Sequence, residues 1–305
     1  MKGALVAVTL VLLSLACARF QEGPVEIPEP DLRFVEIDGW RIRVETHGDQ
    51  GSPVVLIHGY GASLSEWRPI LPRLCAAHRC VLLDLPGFGW SDKYAGRYRP
   101  ADLAAVVGRV MDALGVPTAH VVAHSWGSSV ALALALDEPR RVRSLCLTGA
   151  WVFHDQLNTF FRWARVRGIG EALFTLFYDE QPELRLRMGF AHPEAHVTDE
   201  KVARVARILD LPGFKRAALQ AARDQNLEDL EGRYPEVDRE VLLLWGDQDR
   251  VSLPFYGWRL HGVLPGSRMV LLPDAGHSPQ IEVPELWARE VVDFLARLDR
   301  GEVME

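Results

Sequence analysis

The sequence predicts an α/β fold: a mostly parallel sheet flanked by helices, with a helical insertion. Three observations predict it. Residues 54–57, 241–244 and 269–272 are unbroken apolar runs, as expected of strands covered on both faces of a parallel sheet. Residues 121–123 are strand formers that lead directly to the apolar helical pattern of 128–136, so Ser125 falls on a sharp strand-to-helix turn. Asp249 and His277 each follow another apolar run. All three polar residues therefore lie at C-terminal strand edges, where open α/β sheets build their sites.

Taken in order, residues 33–37 and 41–46 alternate polar and apolar side chains around Asp38-Gly39, a hairpin signal. The strand at 54–57 ends in His58-Gly59-Tyr60-Gly61-Ala62-Ser63, and glycine there lets backbone amides approach a ligand closely. Trp67, Ile70, Leu71 and Leu74 predict a helix over 65–77. A strand at 80–83 opens into Asp84-Leu85-Pro86-Gly87-Phe88-Gly89-Trp90-Ser91-Asp92, where proline and two glycines fix turns. A helix over 101–114 is stopped by Gly115-Val116-Pro117. After the strand at 142–148 the pattern changes. Residues 151–236 carry no clear strand, and Trp151, Phe153, Phe160, Phe161, Trp163, Phe174, Phe177 and Tyr178 recur there at helical intervals among arginines. Strands resume at Val241, and the last helix, over 284–298, begins with proline.

A turn as sharp as the one at Ser125 strains the serine backbone and brings neighbouring chain close. Small residues must then stand two positions away on each side; Ala123 and Gly127 do so. A serine hydroxyl also needs a base, and the base an orienting acid. The order Ser125, Asp249, His277, the His58-Gly59 loop and the Asp-x-Pro-Gly-x-Gly-x-Ser run at 84–91 together resemble the α/β-hydrolase superfamily, in its esterase- and lipase-like serine members with a helical cap. The resemblance implies an α/β-hydrolase core at 32–150 and 237–305 and a cap at 151–236. It implies Ser125 as nucleophile, His277 as base and Asp249, the last residue of Gly246-Asp247-Gln248-Asp249, as acid, with Asp247 and Asp155 as rivals. The backbone amides of Tyr60 and Trp126 map to the oxyanion hole. His58 and Asp84 read as braces of their loops. No cofactor or metal is expected, since His192 and His196 are separated by Pro193 and lack an obvious third ligand.

The 305 residues are 48% hydrophobic, enough for one large core, and the formal net charge of −7 gives no reason to expect nucleic acid. Residues 1–18 read as an export signal: Lys2, then an apolar core at 4–16, shorter than the roughly 20 residues of a membrane span. Leu13-Ser14-Leu15-Ala16-Cys17 resembles a bacterial lipobox, which implies a lipoprotein held to a membrane through Cys17. Ala16-Cys17-Ala18 also satisfies a rule for cleavage after Ala18 and release as a secreted or periplasmic protein. Residues 19–31, rich in Glu and Pro, read as a flexible tether. Cys75 and Cys80 flank a short link and are read as small buried residues, with a disulfide in an oxidising compartment as the alternative, and Cys146 as an inert core thiol.

The expected activity is hydrolysis of a carboxylic ester through an acyl-enzyme. The expected partner is a small ester or amide with an apolar part. Two alternatives share the fold. A proline iminopeptidase-like enzyme would need an acid in the cap, for which Glu180 and Glu183 are the only suggestions. A C–C bond hydrolase is disfavoured because such enzymes often carry Trp after the histidine, where this chain has Ser278. A non-catalytic binding protein is a third reading, set against by the completeness of the triad positions.

Overall fold

A computed structural model describes residues 20–25, 31–176 and 182–302. Eight strands form one sheet: β1 (Phe34–Ile37), β2 (Trp40–His47), β3 (Pro53–Ile57), β4 (Arg79–Leu83), β5 (Ala119–His124), β6 (Val142–Thr148), β7 (Val241–Gly246) and β8 (Ser267–Leu272). Their order is β1-β2-β4-β3-β5-β6-β7-β8. The first two are antiparallel, β2 is antiparallel to β4, and every pairing beyond is parallel. The predicted hairpin forms at Asp38-Gly39, where both residues take positive φ (51° and 80°) and so match the twist of a two-residue turn.

Thirteen helices are described. Those of the core are α1 (Leu71–Leu74), α2 (Pro100–Ala113), α3 (Gly127–Asp137), α11 (Pro254–Val263), α12 (Pro279–Glu282) and α13 (Pro284–Asp299). Alternation along each strand sorts the apolar runs between two layers. Val55, Ile57, Val121 and Leu243 join the cluster containing α2 and α3; Val54, Leu56, Val122 and Leu242 join Trp67, Trp287 and Phe294 on the other face. This is why the inner strands read as unbroken hydrophobic runs.

The helix predicted over 65–77 does not form. The chain makes a 3-10 turn at Leu64–Trp67 and then the single turn of α1. Pro69 and Pro72 lack the N–H groups a continuous helix would need there. The single turn brings Cys75, just past α1, to 5.8 Å from Cys80 in β4, Cα to Cα, and the two are joined by a disulfide. The expectation of two unpaired cysteines is corrected: the separation falls in the range a disulfide spans. Cys146 is free and buried, and burial pushes its thiol well up.

Between β6 and β7 lie α4 (Thr159–Ala164), α5 (Ile169–Leu176), α6 (Pro182–Met188), α7 (Pro193–His196), α8 (Asp199–Leu209), α9 (Phe214–Arg223) and α10 (Glu228–Glu231), with no strand among the described residues. At the centre, α9 buries Ala217, Ala218, Ala221 and Ala222, small residues that let α4, α5 and α8 pack closely on it. Trp163 is 53% exposed and is no part of this core, whereas Phe174 is fully buried.

The tether expectation also needs correction. Residues 20–25 are docked on the insertion: Gly213 N donates to Gln21 O (2.7 Å), Arg216 pairs with Glu22 (2.9 Å) and Val25 is buried. The predicted signal with Cys17 and Ala18, residues 26–30, and Phe177, Tyr178 and Glu180 lie outside the described residues. Among the described residues no helix is long and apolar enough to cross a membrane.

Candidate active site

Strand β5 ends at His124, and Ser125 follows at φ 51°, a strained conformation for a residue with a side chain. The turn is held by Ser125 N donating to Thr148 O of β6 (2.8 Å) and Trp151 N donating to Ser125 O (3.0 Å). A Cβ at Gly127 would stand 2.5 Å from His58 O and 2.7 Å from Ile57 O, so only glycine fits. Gly127 thus has the steric role the sequence assigned it. Ala123 is fully buried.

His277 Nε2 lies 2.9 Å from Ser125 Oγ, and its Nδ1 lies 2.8 Å from Asp249 Oδ2. A carboxylate only accepts, so Nδ1 carries the hydrogen and Nε2 is left as an acceptor facing the hydroxyl. The acid is itself fixed: Asp249 Oδ1 accepts from the amides of Val251 (2.8 Å) and Ser252 (2.9 Å). All three residues are at least nine-tenths buried, in surroundings where such bonds are strong.

The rivals are elsewhere. Asp247 is exposed, and its carboxylate accepts from the Ala275 amide at 3.4 Å. Asp155 is exposed and paired with Arg259 (2.9 Å). Glu183 is exposed and pairs with Arg187. His192 sits 2.6 Å from Asp274. His58 and Asp84 brace loops as expected. His58 Nε2 accepts from Leu85 N (2.9 Å) while Nδ1 donates to Gly59 O (2.7 Å). Asp84 accepts from the amides of Leu64 (2.7 Å) and Trp90 (2.8 Å).

Tyr60 and Trp126 flank the serine. Tyr60 follows Gly59, whose added Cβ would come 3.1 Å from Ser125 Cβ, and Trp126 opens α3 directly after Ser125. Their rings meet edge to face at 5.8 Å, and Phe88 and Phe161 pack on Tyr60 at 5.5 and 5.2 Å. The insertion joins this cluster through Phe161 on Tyr60 and through Phe214 on Phe88 (5.9 Å). The insertion also reaches the site through Tyr60 Oη donating to Ala218 O (2.7 Å), and His277 N donating to Gly189 O (2.9 Å).

Sequence reasoning missed several participants. Gly149 (φ 51°) follows β6 directly, beside Asp249 and His277, where a Cβ would come 3.1 Å from His277 Nδ1 and 3.3 Å from Asp249 Oδ2. Its position one residue past an apolar strand was the available signal. Glu282 accepts from the amides of Gly276 and Ala191, both at 2.7 Å, and so ties the histidine loop to the insertion. Glu66 and His124 form a buried pair beside His277; no sequence pattern joins them.

A family model described as alpha/beta hydrolase fold matches residues 52–284. A 2-hydroxy-6-oxo-6-phenylhexa-2,4-dienoate hydrolase of Burkholderia cepacia is 31% identical over 270 residues, covering 85% of this chain and 93% of that protein. A pimeloyl-[acyl-carrier protein] methyl ester esterase of Neisseria meningitidis is 30% identical over 250 residues, covering 81% and 94%. The dihydrolipoyllysine-residue acetyltransferase component of the acetoin cleaving system of Cupriavidus necator is 30% identical over 255 residues, 82% of this chain but only 65% of that protein's length.

Proposed function

We propose, from the premise that this chain belongs to the α/β-hydrolase family, that it is a serine hydrolase cleaving a carboxylic ester through an acyl-enzyme. The observation that carries this is the unbroken line from Ser125 Oγ through His277 to Asp249, with contacts of 2.9 and 2.8 Å. His277 Nε2 takes the serine proton as Oγ attacks the ester carbonyl, and Asp249 stabilises the imidazolium. The amides of Tyr60 and Trp126 receive the oxyanion. His277 then protonates the leaving alcohol, and water, deprotonated by the same nitrogen, releases the acid.

The half-buried rings of Tyr60 and Phe161, backed by the buried Phe88 and Trp126, suit an apolar acyl or ring group. The indole N–H groups of Trp126 and Trp151 are buried without a partner among the described residues, which favours a substrate that also carries a hydrogen-bond acceptor. The Neisseria relative, named as a methyl ester esterase, supports the ester reading. The Burkholderia relative supports a second one, hydrolysis of a C–C bond in a ring-cleavage product, with Ser278 standing against it. A panel of p-nitrophenyl esters of rising chain length, proline and alanine anilides, and a vinylogous 1,5-diketone decides. Fastest turnover of the diketone would replace the ester reading.

We also propose, from the signal-like residues 1–18, that the enzyme lies outside the cytoplasm, held through a lipid on Cys17 or released after Ala18. The disulfide between Cys75 and Cys80 supports an oxidising compartment. Mass spectrometry of the mature N-terminus separates the routes. A lipid-modified Cys17 is expected of the first and a plain Arg19 of the second, and an intact Met1 would remove both.

A further inference from the structure

Beside the triad is a second buried chain of polar groups. Strand periodicity puts His124, the last residue of β5, on the opposite face from Ala123, under the histidine loop. Its Nε2 lies 2.8 Å from the backbone oxygen of His277, and its Nδ1 lies 3.2 Å from Glu66 Oε2. The other carboxylate oxygen, Oε1, accepts from the amide of Gly59 at 3.3 Å. Side chains of His124 and Glu66 are 6% and 10% exposed, and the Trp67 ring closes the group edge-on at 6.5 Å.

The His277 carbonyl only accepts, so Nε2 of His124 donates to it; with Glu66 ionised, Nδ1 donates as well and His124 is an imidazolium paired with Glu66. Burial pulls its pKa down, but Glu66, the His277 carbonyl and Asp249 more than offset this, and the net direction is up. The titratable groups facing it are Glu66, Asp249 and the His277 ring, whose centroid is 4.8 Å away. A lone cation so close would oppose protonation of His277 during the reaction. The Glu66 carboxylate removes that opposition.

We propose that Glu66 and His124 are positioning residues for this reaction: their ion pair ties the Gly59 end of the oxyanion loop to the backbone of the catalytic histidine. The proposal rests on the serine-hydrolase reading. The two structures joined by the pair must hold still relative to each other, because one receives the charge that develops on the substrate while the other moves the proton. Misplacement by a fraction of an ångström lowers kcat and leaves the binding of ground-state substrate almost unchanged. The pair also predicts an alkaline limb. When His124 loses a proton, the carboxylate faces a bare ring nitrogen, and the link opens.

The test uses the full chain and a p-nitrophenyl ester that the wild type cleaves. Glu66→Ala should lower kcat about tenfold or more, with KM changed less than about twofold. Glu66→Gln should restore most of the lost kcat. Its amide oxygen still accepts from Gly59, and its N–H donates to a neutral His124 that keeps its own bond to His277. With no ion pair left to titrate, the alkaline fall in kcat of the wild type should be absent from Glu66→Gln. Equal kcat in all three proteins, a change confined to KM, or an unchanged alkaline limb in Glu66→Gln each overturns the proposal. If Glu66→Ala fails to fold, the near-isosteric Gln variant and its pH profile still decide. Ser125→Ala, assayed alongside, separates the two levels. Turnover retained there sinks the serine assignment itself, whereas an inactive Ser125→Ala beside Glu66 variants indistinguishable from wild type sinks only the positioning role.

Discussion

Strand β5 carries a serine–histidine–aspartate line near each of its ends. At the C-terminal end, Ser125 meets His277 and Asp249. Near the N-terminal end, Ser144 Oγ lies 2.7 Å from His120 Nδ1, and His120 Nε2 lies 3.3 Å from Asp299. The residue types match, with the two ring nitrogens exchanged. The surroundings do not. Ser144 sits within β6, paired with His120 of β5 beside a shift of register, and is fully buried. Ser125 is lifted off its strand at φ 51° beside a glycine loop. Asp299 is already shared with Ser52 (2.6 Å) and Arg143 (2.8 Å), and it fastens the end of α13 to the bottom of the sheet. Three residue types in line therefore do not define a site. On the proposed serine-hydrolase reading, the strained turn and the neighbouring backbone amides make the difference, because an attacking oxygen needs room for a carbonyl and donors for the charge it creates.

The strongest way to break this comparison is to remove each serine. Ser125→Ala or His277→Ala should lower ester turnover by about 10³-fold or more with folding intact. Ser144→Ala should leave turnover within about twofold, since no carbonyl can reach it. Comparable losses from both serines would show that position on the strand does not select the nucleophile.

The acids sharpen it next. Asp249→Asn should reduce kcat by about 10²- to 10⁴-fold, because the amide presents the wrong partner to His277 Nδ1. Asp247→Asn should be far milder. Asp299→Asn should leave kcat near that of the wild type and instead lower the melting temperature by several degrees, as expected when a buried polar group loses its charged partner. Steady-state kinetics beside thermal melts separates the two kinds of loss, and the reverse ranking of Asp249 and Asp247 would move the acid role to Asp247.

How much of this was legible follows the same division. Ser125, Asp249 and His277 could be read because each stands one turn beyond an apolar strand, and the elbow imposes small neighbours at fixed positions. The expectation of Asp249 over Asp247 came from its place in Gly-x-x-Asp, and the amides of Val251 and Ser252 give it a physical basis. Contacts between distant segments left no such trace. Glu66 and His124 are 58 positions apart, and His120 and Asp299 are 179 apart. The insertion was legible as helical and apolar, but not in which aromatics face the serine, because helix-to-sheet docking has no period of its own. Pro69 and Pro72 were visible and should have outweighed the apolar spacing that predicted a helix over 65–77.

The smallest effect expected concerns acid. Burial holds His120 down to about 4, against the opposing pull of Asp299. Between the ordinary histidine pKa of 6.5 and that value, the unfolded chain takes up a proton that the folded chain refuses. Stability conferred by neutral His120 is therefore complete above pH 6.5 and falls as pH drops toward 4, by at most about 3 kcal/mol. His78, 6.4 Å away and also lowered chiefly by burial, acts in the same direction. His120→Gln should flatten the decline: the side-chain amide can accept from Ser144 or donate to Asp299 without titrating. Urea melts at a series of pH values would show it. An equally steep decline in His120→Gln would assign the acid sensitivity elsewhere and leave the lower line as a plain polar brace.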